Sequence, residues 1–252
     1  MISGRRLDWP DCRNVRDLGG LPRPGGVTRG SVFVRSDCTA NLTPQGQEAM
    51  RAFGVALVID LRTSAELKRA PSPLSPRPIG ERARVRGVIQ HRAPAYVNLP
   101  LIDDALMARL DHAPDMLGRY LMMVEDSRPA MRAIFERLAT AEGATLVHCF
   151  AGKDRTGIVA AMMLELAGVP RESIAADFAE SEAQLADRFE EWVAAAAPER
   201  REIVRDDLRC PPDRILGLLD HLDSRWGGVA GYLDAAGVAP ARIDRLGSLL
   251  AG

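Results

Sequence analysis

One stretch constrains this chain more than any other. It runs Thr145-Leu146-Val147-His148-Cys149-Phe150-Ala151-Gly152-Lys153-Asp154-Arg155-Thr156-Gly157 and continues into Ile158-Val159-Ala160-Ala161-Met162-Met163-Leu164. The β-branched run before the cysteine is too short for a helix and predicts a strand, while Gly152 and Gly157 bracket a tight turn. From Ile158 to Ala167 the residues are strong helix formers, and Gly168 with Pro170 supplies the stop. A loop that feeds a helix N-terminus points several backbone N–H groups at one spot, where the helix dipole adds positive potential. That geometry binds an anion the size of a phosphate. Cys149 is expected at its floor, with Arg155 closing it.

The residue types suit phosphoryl transfer to sulfur. An ordinary thiol is only a few per cent thiolate at neutral pH, and helix N-terminal amides with a nearby cation favour the thiolate. Arginine offers a planar fork that grips two phosphate oxygens at once, which lysine cannot do. The Thr156 hydroxyl can either bond the thiolate or cap the helix. His148 is expected beneath the loop, orienting it through its ring nitrogens rather than acting as the base. A lone cysteine is more often a small buried apolar residue. Here the whole loop accompanies it, and the catalytic reading prevails.

The segment from His148 to Gly157, H-C-F-A-G-K-D-R-T-G, resembles the Cys-x5-Arg loop of the protein tyrosine phosphatase superfamily. It is most similar to the atypical bacterial and fungal group of the mycobacterial phosphatase B and Listeria lipid phosphatase type. Asn14-Val15-Arg16-Asp17-Leu18-Gly19-Gly20 resembles that group's N-x-R-D-x-G-G signature, and Arg29-Gly30 through Arg35-Ser36 its R-G-x-x-x-R-S element. Ile59-Asp60-Leu61-Arg62, Leu99-Pro100-Leu101-Ile102-Asp103 and the C-terminal Gly231-Tyr232-Leu233 have counterparts too, so the likeness covers nearly the whole chain. It implies a metal-independent phosphatase with Cys149 as nucleophile, Arg155 as anion clamp and no cofactor. The substrate-contacting set is Phe150, Ala151, Gly152, Lys153, Thr156 and Gly157, with Asp103 near the pocket. Asp154 is favoured as general acid because the group carries an aspartate there; Asp103 is the alternative, and Asp60 is expected to orient the loop arginine.

Composition narrows the classes. The chain has 252 residues, 46% of them hydrophobic, enough for a full core, and its net charge of −1 argues against a nucleic-acid binder. No stretch is apolar for long enough to span a membrane. The N-terminus lacks the apolar run of a secretory signal, so a cytoplasmic enzyme is expected, with signal-less secretion left open. Cys12, Cys38, Cys149 and Cys210 are scattered, unlike a disulfide framework or zinc ligands, and the four histidines show no ligand spacing. No metal is expected.

Trp9-Pro10-Asp11 spells the general-acid tripeptide of tyrosine phosphatases, but it lies far too early in the chain and is read as coincidence. Strands are predicted at Val32–Val34, Val55–Leu61 and Val97–Leu101. Helices are predicted after Thr43-Pro44, after the capping box Thr63-Ser64-Ala65-Glu66, over 105–125, 129–142, 171–208 and 213–225, and after Pro240. Residues 69–87, rich in proline and arginine, read as a solvated connection. Strands alternating with helices imply one α/β domain, 1–252, with a mostly parallel central sheet flanked by helices. Residues 171–252 form a helical extension, either ordinary core or, as the resemblance implies, partly an active-site lid.

Three function classes fit an anion loop with a cysteine. The first is a phosphomonoesterase passing through a phosphocysteine. The second is a sulfurtransferase or arsenate-reductase-like enzyme, and the third an inactive phosphate-binding module. His148 before the cysteine and Arg155-Thr156-Gly157 after it favour the phosphatase. Lys153 adds a second positive charge and extends the expected substrates from phosphotyrosine to phosphoserine/threonine and phosphoinositides; the alternative is that it pairs with a local carboxylate.

Overall fold

The computed structural model describes residues 4–75 and 93–251. The chain opens with three short strands, β1 (Arg16–Asp17), β2 (Pro22–Arg23) and β3 (Gly26–Val27), before β4 (Phe33–Ser36) enters the sheet. Thr43 caps α1 (Pro44–Ala52), its hydroxyl accepting from the Gly46 N–H at 3.2 Å, and Gly54 ends the turn with φ +92°. The run Val55–Asp60 forms β5, and α2 (Ser64–Arg69) follows behind the predicted capping box. After β6 (Ala95–Asn98) come α3 (Asp104–Leu110), α4 (Met116–Asp126) and α5 (Arg128–Ala139), then β7 (Ala144–His148) and α6 (Asp154–Leu166). The C-terminal part is helical: α7 (Arg171–Gln184), α8 (Ala186–Ala195), α9 (Arg201–Leu208), α10 (Pro212–Trp226), α11 (Val229–Ala235) and α12 (Pro240–Leu249).

The main sheet has the order β1-β4-β7-β5-β6; β4, β7, β5 and β6 run parallel and β1 is antiparallel at one edge. This is the expected α/β architecture. Strand register decides where chemistry can occur, because His148 lies opposite Ser36 on one side and Asp60 on the other. The three central strands therefore end level, and Asp37, Cys149 and Leu61 leave one carboxyl edge together, where open α/β sheets bind ligands. Alternation along the strands fills two cores. Val34, Val58 and Leu146 face α1 with Trp9 and Met50, whereas Phe33, Leu57, Ile59 and Val147 face the larger helical layer.

Three expectations need correction. The single helix over 105–125 is two helices, because Pro114 interrupts the first and Asp115 starts the second, its carboxylate accepting from the Gly118 N–H at 2.7 Å. The long helix over 171–208 is three helices, broken around Leu185 and again at Pro198. The strand expected at 97–101 begins earlier and ends at Asn98. The connection 69–87 is described only to Ser75; its remaining prolines and arginines lie outside the described residues. The extension also divides. Ile215, Leu218, Leu222, Tyr232 and Leu246 of α10 to α12 belong to the main core, while α9 buries no residue at all.

Candidate active site

The strand-loop-helix unit is centred in the fold. Every residue of β7 is buried, and α6 is buried from Arg155 through Leu164, so it is a core helix rather than an amphipathic one. Between them Gly152 adopts φ +68°, and a Cβ on it would lie 2.3 Å from the Ser36 carbonyl oxygen, so only glycine fits. Cys149 sits at the strand end, 2% exposed. Phe150, next in the chain, is 40% exposed and stacks on Trp192 of α8 with ring centroids 5.8 Å apart.

Arg155 is the best-held side chain of the loop. Its Nη1 and Nη2 donate to the two carboxylate oxygens of Glu66 at 2.6 and 2.7 Å. Burial opposes the Arg155 charge, but the Glu66 hydrogen bonds and the field of Cys149 outweigh it and raise its pKa. Glu66 in turn is desolvated, yet pairing with Arg155 keeps it below its ordinary value. The fork uses two of the five guanidinium N–H groups and leaves the rest for an anion. In the sequence Glu66 stands out only as a capping residue. It is that as well, since its Oε2 accepts from the Thr63 N–H at 2.8 Å. The short turn at the end of β5 thus delivers the glutamate to the arginine.

Asp60 has a different place from the one expected. Instead of orienting Arg155, its carboxylate takes Arg62 Nη2 at 2.6 Å and the Tyr96 hydroxyl at 2.7 Å and faces His148 Nε2 at 3.5 Å. His148 is fully buried; Nδ1 meets the Cys149 carbonyl at 3.1 Å and Nε2 the Thr39 hydroxyl at 3.3 Å. Desolvation lowers its pKa against the pull of Asp60, which keeps the ring neutral beneath the loop.

The two candidate acids are separated. Asp154 lies in the first turn of α6, one position past the N-cap, where its charge suits the dipole; its Oδ1 accepts from the Tyr120 hydroxyl at 2.5 Å and faces Lys153 Nζ at 3.3 Å. Asp103 is exposed and caps α3, accepting from the Leu106 N–H at 2.7 Å. The cleft it lines with Pro100, Arg109 and Asp126 contains no residue of the Cys149 loop. Thr156 is buried and its hydroxyl has no partner among the described residues, so here it neither caps α6 nor bonds the sulfur. Lys153, expected to face substrate, is 2% exposed and turned toward α9, donating to the Asp207 carbonyl at 2.5 Å. Trp9-Pro10-Asp11 packs against α1, with Trp9 edge-on to Phe53 and 4% exposed.

A buried cysteine at a strand end and a carboxylate-held arginine on the following helix form one anion cradle. Comparison with known proteins decides the class: the sequence profile of the tyrosine phosphatase family matches residues 7–252. The chain belongs to the tyrosine phosphatase family. A tyrosine-protein phosphatase of Nostoc commune is 33% identical over 224 residues, covering 85% of this chain and 72% of its own length. The triple specificity protein phosphatase PtpB of Mycobacterium tuberculosis is 30% identical over 275 residues, covering 95% and 96%. A putative tyrosine-protein phosphatase of Cupriavidus necator is 30% identical over 271 residues, covering 100% and 91%. This tyrosine phosphatase is therefore a cysteine-based phosphatase of the atypical type that its loop resembles. No helix among the described residues is long and apolar enough to cross a membrane.

Proposed function

We propose that residues 1–252 form one catalytic domain that hydrolyses phosphomonoesters through a phosphocysteine on Cys149. The Cys149 sulfur attacks phosphorus and the bond from phosphorus to the leaving oxygen breaks. Asp154 gives that oxygen its proton. Water then attacks the same phosphorus, its proton passing back to Asp154, and the S–P bond breaks to release phosphate and thiolate. Arg155 and the inward amides of the loop stabilise the equatorial oxygens throughout. One observation carries this reading: Glu66 grips both Nη atoms of Arg155, which stands in the first turn of the helix that follows Cys149. Asp154 is preferred to Asp103 as the acid because it stands within the loop, whereas Asp103 is engaged in capping.

The substrates proposed are phosphotyrosine, phosphoserine/threonine and phosphoinositides, a breadth supported by the triple specificity for which the mycobacterial relative is named. Phosphoinositide hydrolysis requires Lys153 to leave α9 and face the ring phosphates. The helices α8 and α9, resting on Phe150 and Lys153, are the segment that would move as a lid. We place the enzyme in the cytoplasm with phosphorylated protein or phosphoinositide as its partner, and with no nucleic acid.

Phosphate release from p-nitrophenyl phosphate, set beside thiocyanate formation from thiosulfate and cyanide, tests the class. The wild-type protein is expected to do the first and not the second. The Cys149→Ser variant should lose turnover by about 10³-fold or more while still binding the ester, because serine here has no adjacent base. Near-normal turnover by that variant would remove Cys149 from the mechanism.

A further inference from the structure

Two signatures, Asn14–Gly20 and Arg29–Ser36, have so far no role in the chemistry, yet their side chains converge behind the Cys149 loop. A loop that turns its N–H groups inward to an anion turns its carbonyls outward, and each buried carbonyl then needs a donor. Asn14 Nδ2 donates to the Ala151 carbonyl at 3.1 Å, and Arg35 Nη2 to the Gly152 carbonyl at 2.8 Å. Neither donor is free to turn. Asn14 Oδ1 accepts from Arg16 Nη1 at 2.5 Å, and the Asp177 carboxylate of α7 takes Arg16 Nε at 3.0 Å and Arg35 Nη1 at 2.6 Å. Arg16, Arg35 and Asp177 are each no more than 2% exposed. The two signatures are themselves pinned together: a Cβ on Gly19 would lie 2.4 Å from the Gly30 Cα, and Asp17 accepts from the Gly19 and Ser31 N–H groups at 3.0 and 2.7 Å.

Stability alone is a weak reason for this assembly. Buried ion clusters are no more stable, as a rule, than well-packed apolar residues of the same volume, because desolvation offsets the Coulombic gain. What the cluster supplies is direction: two fixed donors on two consecutive loop carbonyls. Resting on the phosphatase reading, we propose that Asn14, Arg16, Arg35 and Asp177 are positioning residues of the active site. Acting through the Ala151 and Gly152 carbonyls, they hold the loop amides in the orientation that binds the transferring phosphoryl group. None of them reaches the reacting atoms.

Arg5 supplies an internal control. Its Nη1 joins the same Asp177 carboxylate at 2.8 Å and its Nη2 reaches Glu180 at 2.7 Å, but it bonds no carbonyl of the loop. Equilibrium binding of tungstate, a phosphate-shaped anion that is not turned over, reads the loop amides directly. Asn14→Ala and Arg35→Gln are expected to weaken tungstate binding and lower kcat for p-nitrophenyl phosphate by about tenfold or more, with unchanged circular dichroism. Arg5→Gln should lower the Tm and leave both the tungstate Kd and kcat at wild-type values. If Arg35→Gln does not fold, Asn14→Ala decides alone, since it removes a neutral donor and no charge. Wild-type tungstate binding and turnover in folded Asn14→Ala would overturn the proposal. So would an Arg5→Gln variant that loses as much as the other two, because the cluster would then act through stability. A wild-type protein that neither binds tungstate nor turns over substrate fails at an earlier step, removing the phosphatase reading and this inference with it.

Discussion

At the scale of single residues, the loop and the histidine beneath it are legible in the sequence, and the distant supports are not. Cys149, Arg155 and Gly152 stand where their spacing placed them, because a strand, a tight glycine turn and a helix N-terminus are local events. Glu66 was invisible as a clamp, since it lies 89 positions from Arg155 and its pattern announced only a helix cap. Removing its charge tests the distant role. Glu66→Gln keeps the shape and the cap acceptor, but the Arg155 fork loses its anionic partner and its fixed aim. A fall in kcat of roughly tenfold or more is expected, with little change in Tm, and an unchanged kcat would mean that Arg155 is oriented by substrate alone. Asp154 is tested by leaving group. Asp154→Asn should damage phenyl phosphate hydrolysis far more than p-nitrophenyl phosphate hydrolysis, because the poorer leaving group depends more on a proton donor. Equal loss on both would leave Asp154 a positioning role through its bond to Tyr120.

At the scale of elements, periodicity located the helices and could not tell where long ones break. Pro114 and Pro198 are in plain view, but good helix formers lie on both sides of Pro198 and close to Pro114, and only the packed fold shows the chain turning there. The break at Pro198 has a functional side. It sets α9 apart as an eight-residue helix with no buried residue, joined to the Cys149 loop through Lys153 Nζ on the Asp207 carbonyl. Polar ties rather than buried apolar contacts hold its C-terminal end: Lys153 on the Asp207 carbonyl, Arg214 on the Asp206 carbonyl and Arg119 on the Asp207 carboxylate. Lys153→Ala is therefore expected to speed amide hydrogen exchange across Arg201–Leu208 by about threefold to tenfold, while the amides of α6 exchange as before. The same variant should lower phosphoinositide turnover more than phosphotyrosine turnover. If exchange in α9 does not change, Lys153 does not hold that helix down. An unchanged ratio of the two activities would separate the lysine from lipid selectivity.

At the scale of the whole molecule, the central sheet was readable from its apolar runs, whereas the buried charges were not. Nothing in the local sequence says that Arg16 and Arg35 will meet an aspartate on a helix more than a hundred positions away; their burial follows from the topology that seats α7 behind β1 and β4. Those charges and His148 make stability depend on pH, and the sign can be worked out. His148 is fully buried, and desolvation holds its folded pKa below the ordinary value near about 6.5, with Asp60 pulling the other way. Between the two values the unfolded chain binds a proton that the folded chain does not, so stability falls as the pH drops through about 6.5. Asp177 adds a second window. Desolvation opposes its charge, but Arg16, Arg35 and Arg5 together hold its pKa far below the carboxylate range, so its stabilisation is present above about pH 4 and is lost at lower pH. Asp37 runs the other way: burial raises its pKa, so from that raised value down to about 4 the folded state holds a proton that the unfolded chain lacks, which offsets part of the His148 loss. The Tm is thus expected to decline from pH 7.5 to 5.5, each unit of His148 depression being worth about 1.4 kcal/mol. In a folded His148→Gln variant, whose amide does not titrate, that decline should flatten. A decline as steep in folded His148→Gln as in the wild type would mean that His148 enters the folded state with its proton, and the neutral ring beneath Cys149 would have to be abandoned.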